Sequence, residues 1–211
     1  MSGGKFITIE GGEGAGKSTQ IKLLADGLRE RGIVIPTTRE PGGSPGAEAI
    51  RKLLVEGSTD KWDGETEALL HFAARRDHLR RTVWPALERG EWVISDRFAD
   101  STKAYQGYGH GLPLAKIDRL YDISVGDFRP DLTVILDLPI ELGLSRAARR
   151  AGTETRYESM DIEFHRRLRE GFLAIAGADP ARCAVIDASG SVEAVQVALR
   201  MQVIQRVRPP Q

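Results

Sequence analysis

The chain is short of several things, and each shortage removes a class of protein. It has one cysteine, Cys183, so no intrachain disulfide can form and a reducing compartment is expected. Basic and acidic side chains balance at 30 each, which leaves no surplus charge to draw the molecule onto nucleic acid or an anionic membrane. No apolar run approaches the roughly 20 residues that a membrane-crossing helix needs. The opening MSGGKFITIE also lacks the apolar core of a secretory leader. A cytoplasmic protein without nucleic-acid or membrane partners is therefore expected. Repeats and low-complexity blocks are missing too, so residues 1–211 read as one domain with a frayed Arg-Pro-Pro-Gln tail.

What is present begins at Phe6. Phe6, Ile7, Thr8 and Ile9 form an apolar, β-branched run of the kind that makes a buried strand. Gly11, Gly12, Glu13, Gly14, Ala15, Gly16, Lys17, Ser18 and Thr19 follow, and then Ile21, Leu24 and Leu28 recur at helical spacing. Gly11, four residues, then Gly16-Lys17-Ser18 is the phosphate-binding P-loop pattern in the strand-to-helix context it requires. Its glycines let backbone N–H groups turn inward around phosphate, at a helix N-terminus that carries partial positive charge. Lys17 can reach the outer phosphates of a nucleoside triphosphate, and the Ser18 hydroxyl can ligate the accompanying Mg²⁺.

Further short apolar runs at Ile33–Ile35, Trp92–Ile94, Leu132–Leu136 and Ala184–Ile186 alternate with helical patterns. The expected architecture is α/β, a five-stranded parallel sheet with helices on both faces. One long helix should run from about Thr66 to Glu88 with a bend at Pro85, and Gln106 to Gly111 reads as a Gly-rich connection. In such sheets ligands bind beyond the carboxyl ends of the strands. The P-loop, the turn from Thr37 to Gly43, Asp96-Arg97 and the Asp187 loop should therefore meet on one rim. Asp96 stands where the acidic Mg²⁺-orienting residue of P-loop enzymes stands, with Asp137 as the competing strand-end carboxylate.

The cations fit the same picture. Lys17 is joined by Arg39, by the pair Arg75 and Arg76, by Arg97, and by Arg149, Arg150 and Arg156. The planar guanidinium grips phosphate through two parallel hydrogen bonds. Small and polar residues between Arg149 and Tyr157 have the composition of a short arginine-bearing lid, which would neutralise transition-state charge. Two absences sharpen the reading. No Asn-Lys-x-Asp run is present, which disfavours a GTPase, and no general base is conspicuous. A phosphate acceptor needs none, since its second pKa is about 6.

On EGGEGAGKST, TREPGG, FAARRDHL, SDRFADSTKAYQG, GDFRPDLTVILDLP, Arg156-Tyr157-Glu158 and IDASG, the chain resembles the thymidylate kinase family from end to end. That resemblance implies the P-loop kinase fold, transfer of the γ-phosphoryl of ATP to dTMP, Mg²⁺ as cofactor and a homodimer. It implies that Glu13 bonds the deoxyribose 3′-hydroxyl and that Arg39, Arg76 and Arg97 surround dTMP. Phe72 would stack on thymine, Ser101, Thr102 and Gln106 would read its polar edge, and Tyr105 would crowd a ribose 2′-hydroxyl. Of the two adjacent arginines, Arg76 keeps the family's four-residue spacing from Phe72. The P-loop carries no arginine, so the arrangement is similar to the bacterial type, with Arg149 or Arg150 acting together with Arg156. The competing readings are a P-loop kinase for another small acceptor and a nucleotide-binding regulator without turnover.

Overall fold

The computed structural model describes residues 3–149 and 156–207. Its axis is β1 (Phe6–Glu10), in which every residue is buried. Side chains alternate along a strand, so β1 feeds two layers. Ile7 and Ile9 join the core beneath α1 (Lys17–Arg29) and α9 (Val192–Val207), while Phe6 packs with α3 (Gly64–His78) and α6 (Leu114–Ser124). The other strands are β2 (Thr37–Arg39), β3 (Val93–Asp96), β4 (Leu132–Asp137) and β5 (Cys183–Asp187). All pairings are parallel in the order β2-β3-β1-β4-β5, and the strands inward of β2 read as short, largely apolar runs. Cys183 is buried on β5, and burial pushes its thiol up to about 12. Among the described residues no helix is long and apolar enough to cross a membrane.

Three expectations need correction. The second strand is Thr37–Arg39, not Ile33–Ile35. The earlier residues lie alongside β3, where the carbonyls of Val34 and Pro36 accept from Trp92 and Ile94, but Pro36 has no N–H and the ladder starts only after it. The long helix is present in three pieces: α3, a π-helical turn at Leu79–Val83, and α4 (Trp84–Glu88). The wide turn lies immediately before α4, so the irregularity is a π-bulge ahead of Pro85 and not a kink at it. Gln106 to Gly109 is also helical, within a π-helical stretch Lys103–Gly109 that continues α5 (Ala99–Thr102). Its glycines serve close packing: a Cβ on Gly109 would lie 2.5 Å from the Phe164 ring. Phe164 belongs to α8 (Ile162–Ala178), which lies across this stretch.

The remaining helices frame the rim. α2 (Pro45–Val55) follows β2 through a turn with a cis Glu40–Pro41 bond and is capped by Ser44. α7 (Ile140–Ala148) follows β4 and lies against the P-loop, where Gly14 meets Gly143.

Candidate active site

The strand ends open into one cavity of about 760 Å³, lined by P-loop residues Glu13 to Thr19 and by side chains from β2, α2, α3, β3 and the Lys103–Gly109 stretch. The loop that shapes it depends on glycine at two contacts. Gly14 has φ +69°, and a Cβ there would lie 2.0 Å from the Gly143 carbonyl oxygen. At Gly11 (φ +134°) a Cβ would meet the Leu136 carbonyl at 2.4 Å. Lys17 is the first residue of α1, behind Gly16, and its Nζ donates to the Gly11 and Gly12 carbonyls at 3.1 and 2.9 Å. Burial, with Arg97 nearby, brings its pKa down to about 8.

Ser18 and Asp96 meet as expected, the Ser18 hydroxyl donating to Asp96 Oδ2 at 3.2 Å. Asp96 Oδ1 is buried and has no hydrogen-bond partner. No cluster of three or more acidic, His or Cys ligands is present among the described residues. Oxygen donors so few in number suit Mg²⁺, which keeps several waters and takes its other ligands from substrate phosphates. Asp137 is not available for that role, because Arg169 grips both its oxygens at 2.7 and 2.8 Å.

Arg97 occupies the centre of the rim in a left-handed backbone conformation, φ +71°, the one positive φ of a non-glycine among the described residues. Such strain costs about 1–3 kcal/mol and collects at functional sites. Its guanidinium donates to Gly11 O (3.0 Å), Ser101 Oγ (3.1 Å) and Glu13 Oε1 (3.0 Å) and lies 4.9 Å over the Tyr105 ring. The Tyr105 hydroxyl donates to the same Glu13 oxygen at 2.6 Å. Beneath them Glu10 accepts from the Phe98 N–H and from Ser101 Oγ. Burial, with Asp100 nearby, raises Glu10 to about 8. Arg39 lines the mouth, half-exposed and paired with Glu48 at 3.1 Å.

On the α3 wall the expectation was one residue out of register. Phe72 does not reach the cavity; it is 2 % exposed and packs with Phe6, Leu79 and Tyr121 in the core. Arg76 points outward, donating to the Ser124 carbonyl and covering Trp84. One residue is about 100° of helix rotation, and the lining residues are His71 and Arg75. Sequence reading passed over a signal here. Ala68, Phe72, Leu79 and Val83 form the apolar stripe, while Glu67, His71, Arg75 and His78 recur on a polar one at intervals of four, four and three.

Arg75 is buried and held on two sides, with Nε donating to Glu40 Oε2 (2.7 Å) and Nη2 to Thr102 Oγ1 (3.0 Å). Glu40 accepts in turn from His78 (2.9 Å); its burial raises the carboxyl, but Arg75 and His78 outweigh that and hold it low. Thr102 therefore acts on Arg75 and does not itself line the cavity. Two buried polar atoms on this wall have no hydrogen-bond partner: Arg75 Nη1, a donor, and Gln106 Oε1, an acceptor. Burial, with Arg75 beside it, pushes His71 down to about 3, so its imidazole is neutral. His71 Nε2 lies 3.2 Å from the Tyr157 hydroxyl.

The lid arginines separate. Arg149 is exposed at the C-terminal end of α7, and Arg150 lies outside the described residues. Arg156 is not brought to the phosphates. It is 2 % exposed, donates to the carbonyls of Ser58, Leu54 and Thr59 at 2.8, 3.3 and 3.0 Å, and pairs with Glu67 at 2.5 Å. This buried pairing ties Arg156 to the α2–α3 connection and to α3. Arg51 and Arg146, which were not foreseen as lining residues, do line the cavity. Arg146 donates to the carbonyls of Ala188 and Ser189 (2.9 and 3.1 Å), joining α7 to the loop after β5.

Comparison with known proteins agrees with this geometry. The thymidylate kinase family profile matches residues 9–199. A thymidylate kinase of Caulobacter vibrioides is 55 % identical over 207 residues, covering 98 % of this chain and 99 % of the relative. One from Rhodopseudomonas palustris is 53 % identical, covering 97 % and 92 %. The crystal structure of thymidylate kinase from Ehrlichia chaffeensis superposes with a TM-score of 0.75 at 37 % identity, over 95 % of this chain and 99 % of that one.

Proposed function

The chain belongs to the thymidylate kinase family and phosphorylates dTMP to dTDP with ATP; on that premise we propose how its residues divide the work. The observation that carries the base assignment is the pair of partnerless buried atoms on the α3 wall. A donor at Arg75 Nη1 and an acceptor at Gln106 Oε1 complement O4 and N3–H of thymine. Cytosine presents the reverse polarity at both positions and would leave like groups facing each other. His71, neutral and on the same wall, lies against the ring in place of the aromatic expected there. Glu13 receives the sugar 3′-hydroxyl while Tyr105 fills the space of a 2′-hydroxyl. Glu13 already accepts from Arg97 and Tyr105, which makes it a poor proton acceptor and argues against a neutral hydroxyl substrate.

The P-loop from Gly11 to Thr19 holds the ATP phosphates, with Arg146 and the loop after Asp187 beside the adenine. Ser18 and Asp96 would hold Mg²⁺, which when bound neutralises phosphate charge. Lys17 and Arg97 face the space between donor and acceptor phosphates, and Arg39 adds charge at its mouth. Arg149 and Arg150 take the charge-neutralising part expected of the lid, while Arg156 stays held by Glu67 and the α2–α3 connection. Leu53, Leu69 and Ile123, 44, 51 and 81 % exposed on α2, α3 and α6, support a homodimer formed through these helices. Its nucleotide substrates support a cytoplasmic location.

The test is steady-state phosphorylation of dTMP, dUMP, dCMP and TMP ribonucleotide by the purified chain. dTMP should lead, with dCMP at least about a thousandfold poorer, as expected for a polar site facing mismatched groups. Comparable rates on dCMP and dTMP would remove the base assignment.

A further inference from the structure

The Gln106 carboxamide is pinned from one side. Its Nε2 donates to Glu67 Oε2 at 2.8 Å, while its Oε1 is the buried acceptor without a partner. Burial alone would raise the Glu67 carboxyl, but His110, Gln106 and Arg156 outweigh it and hold its pKa at about 2. An ionised carboxylate has no hydrogen to give, so only the NH₂ end of the amide can face it and the amide oxygen must face away. Glu67 is fixed in turn by the Tyr157 hydroxyl (3.2 Å) and Arg156 Nη2 (2.5 Å). It is fully buried and does not line the cavity.

Resting on the reading that this cavity takes a pyrimidine monophosphate, we infer that Glu67 is the positioning residue for base choice. By holding the Gln106 carboxamide in one of its two orientations, it keeps an acceptor and excludes a donor at the position facing the base N3. A glutamine alone could not discriminate, because rotation by 180° about its last bond exchanges donor for acceptor at almost no steric cost. The fixed charge behind it makes that rotation unfavourable, since it would set two oxygens against each other. Selection against cytosine thus originates one layer behind the residues that touch the base.

The experiment compares kcat/KM for dUMP and dCMP, two acceptors that share sugar and phosphate and differ only at the edge in question. Both are read on the same enzyme, so general loss of folded protein cancels from the ratio. In wild type the ratio should strongly favour dUMP. Glu67→Gln gives Gln106 a partner that accepts either orientation, and the ratio should fall about tenfold or more. Glu67→Gln leaves Arg156 buried without its counter-charge, so the paired variant Glu67→Gln/Arg156→Met is measured beside it and should show the same fall. Gln106→Leu should collapse the ratio as well. A ratio within twofold of wild type in both Glu67 variants, with Gln106→Leu collapsed, would overturn the role of Glu67 and leave the base reading standing. An unchanged ratio in Gln106→Leu, or no preference in wild type, would overturn both.

Discussion

Lys17 is the P-loop cation, and it donates to the carbonyls of its own loop. Burial has brought it down to about 8, so at neutral pH it is mostly charged and by pH 9 mostly neutral. Bound phosphates would raise it again, and binding above pH 8 must therefore be accompanied by uptake of a proton. ATP affinity should weaken about tenfold between pH 7 and pH 9, and calorimetry in buffers of different ionisation enthalpy should register the proton. A flat profile over that range would mean that Lys17 keeps its charge when alone. This placement was legible in the sequence because Gly-Lys-Ser after a strand fixes the lysine at a helix N-terminus. The roles of Glu10 and Glu40 were not, since nothing local marks a carboxylate whose partners lie far along the chain.

At the level of elements, the P-loop and α7 form one rigid contact. Gly14 touches the backbone of Gly143, and neither side is a flexible side chain. Gly14→Ala combines that 2.0 Å approach with a positive φ, so the loop must move off α7. Nucleotide titration should show ATP affinity reduced at least about a hundredfold while circular dichroism stays native. Unchanged affinity would show that the loop tolerates displacement. The same scale explains the misreading on α3. Spacing of four residues was right, but two candidate pairs, Phe72/Arg76 and His71/Arg75, satisfy it equally. A phenyl ring at 72, against an imidazole at 71, favoured the wrong pair. Burial decides it, because Phe72 shares the apolar stripe of Ala68, Leu79 and Val83 and must turn into the core.

For the whole molecule, alternation of apolar runs with helical periods was sufficient to give the parallel sheet and the rim on which Lys17, Asp96 and Arg97 meet. The order of the strands and the neighbours of Arg156 were beyond it, being set by packing between distant segments. A similar surface argument gives the last prediction. α3 packs against both α2 and α6, and the exposed leucine and isoleucine side chains on these helices are the face through which the proposed homodimer would form. Leu69→Glu should shift sedimentation from dimer toward monomer with the secondary structure intact. Sedimentation identical to wild type would place the contact elsewhere.

The solitary thiol of Cys183 has a use no other atom here can match. Sealed within the outermost strand beside β4 and held as the unreactive thiol, it is invisible to alkylating reagents until the sheet comes apart. Each labelling event therefore counts one opening of the core, and the unaltered protein carries its own clock for how often that happens.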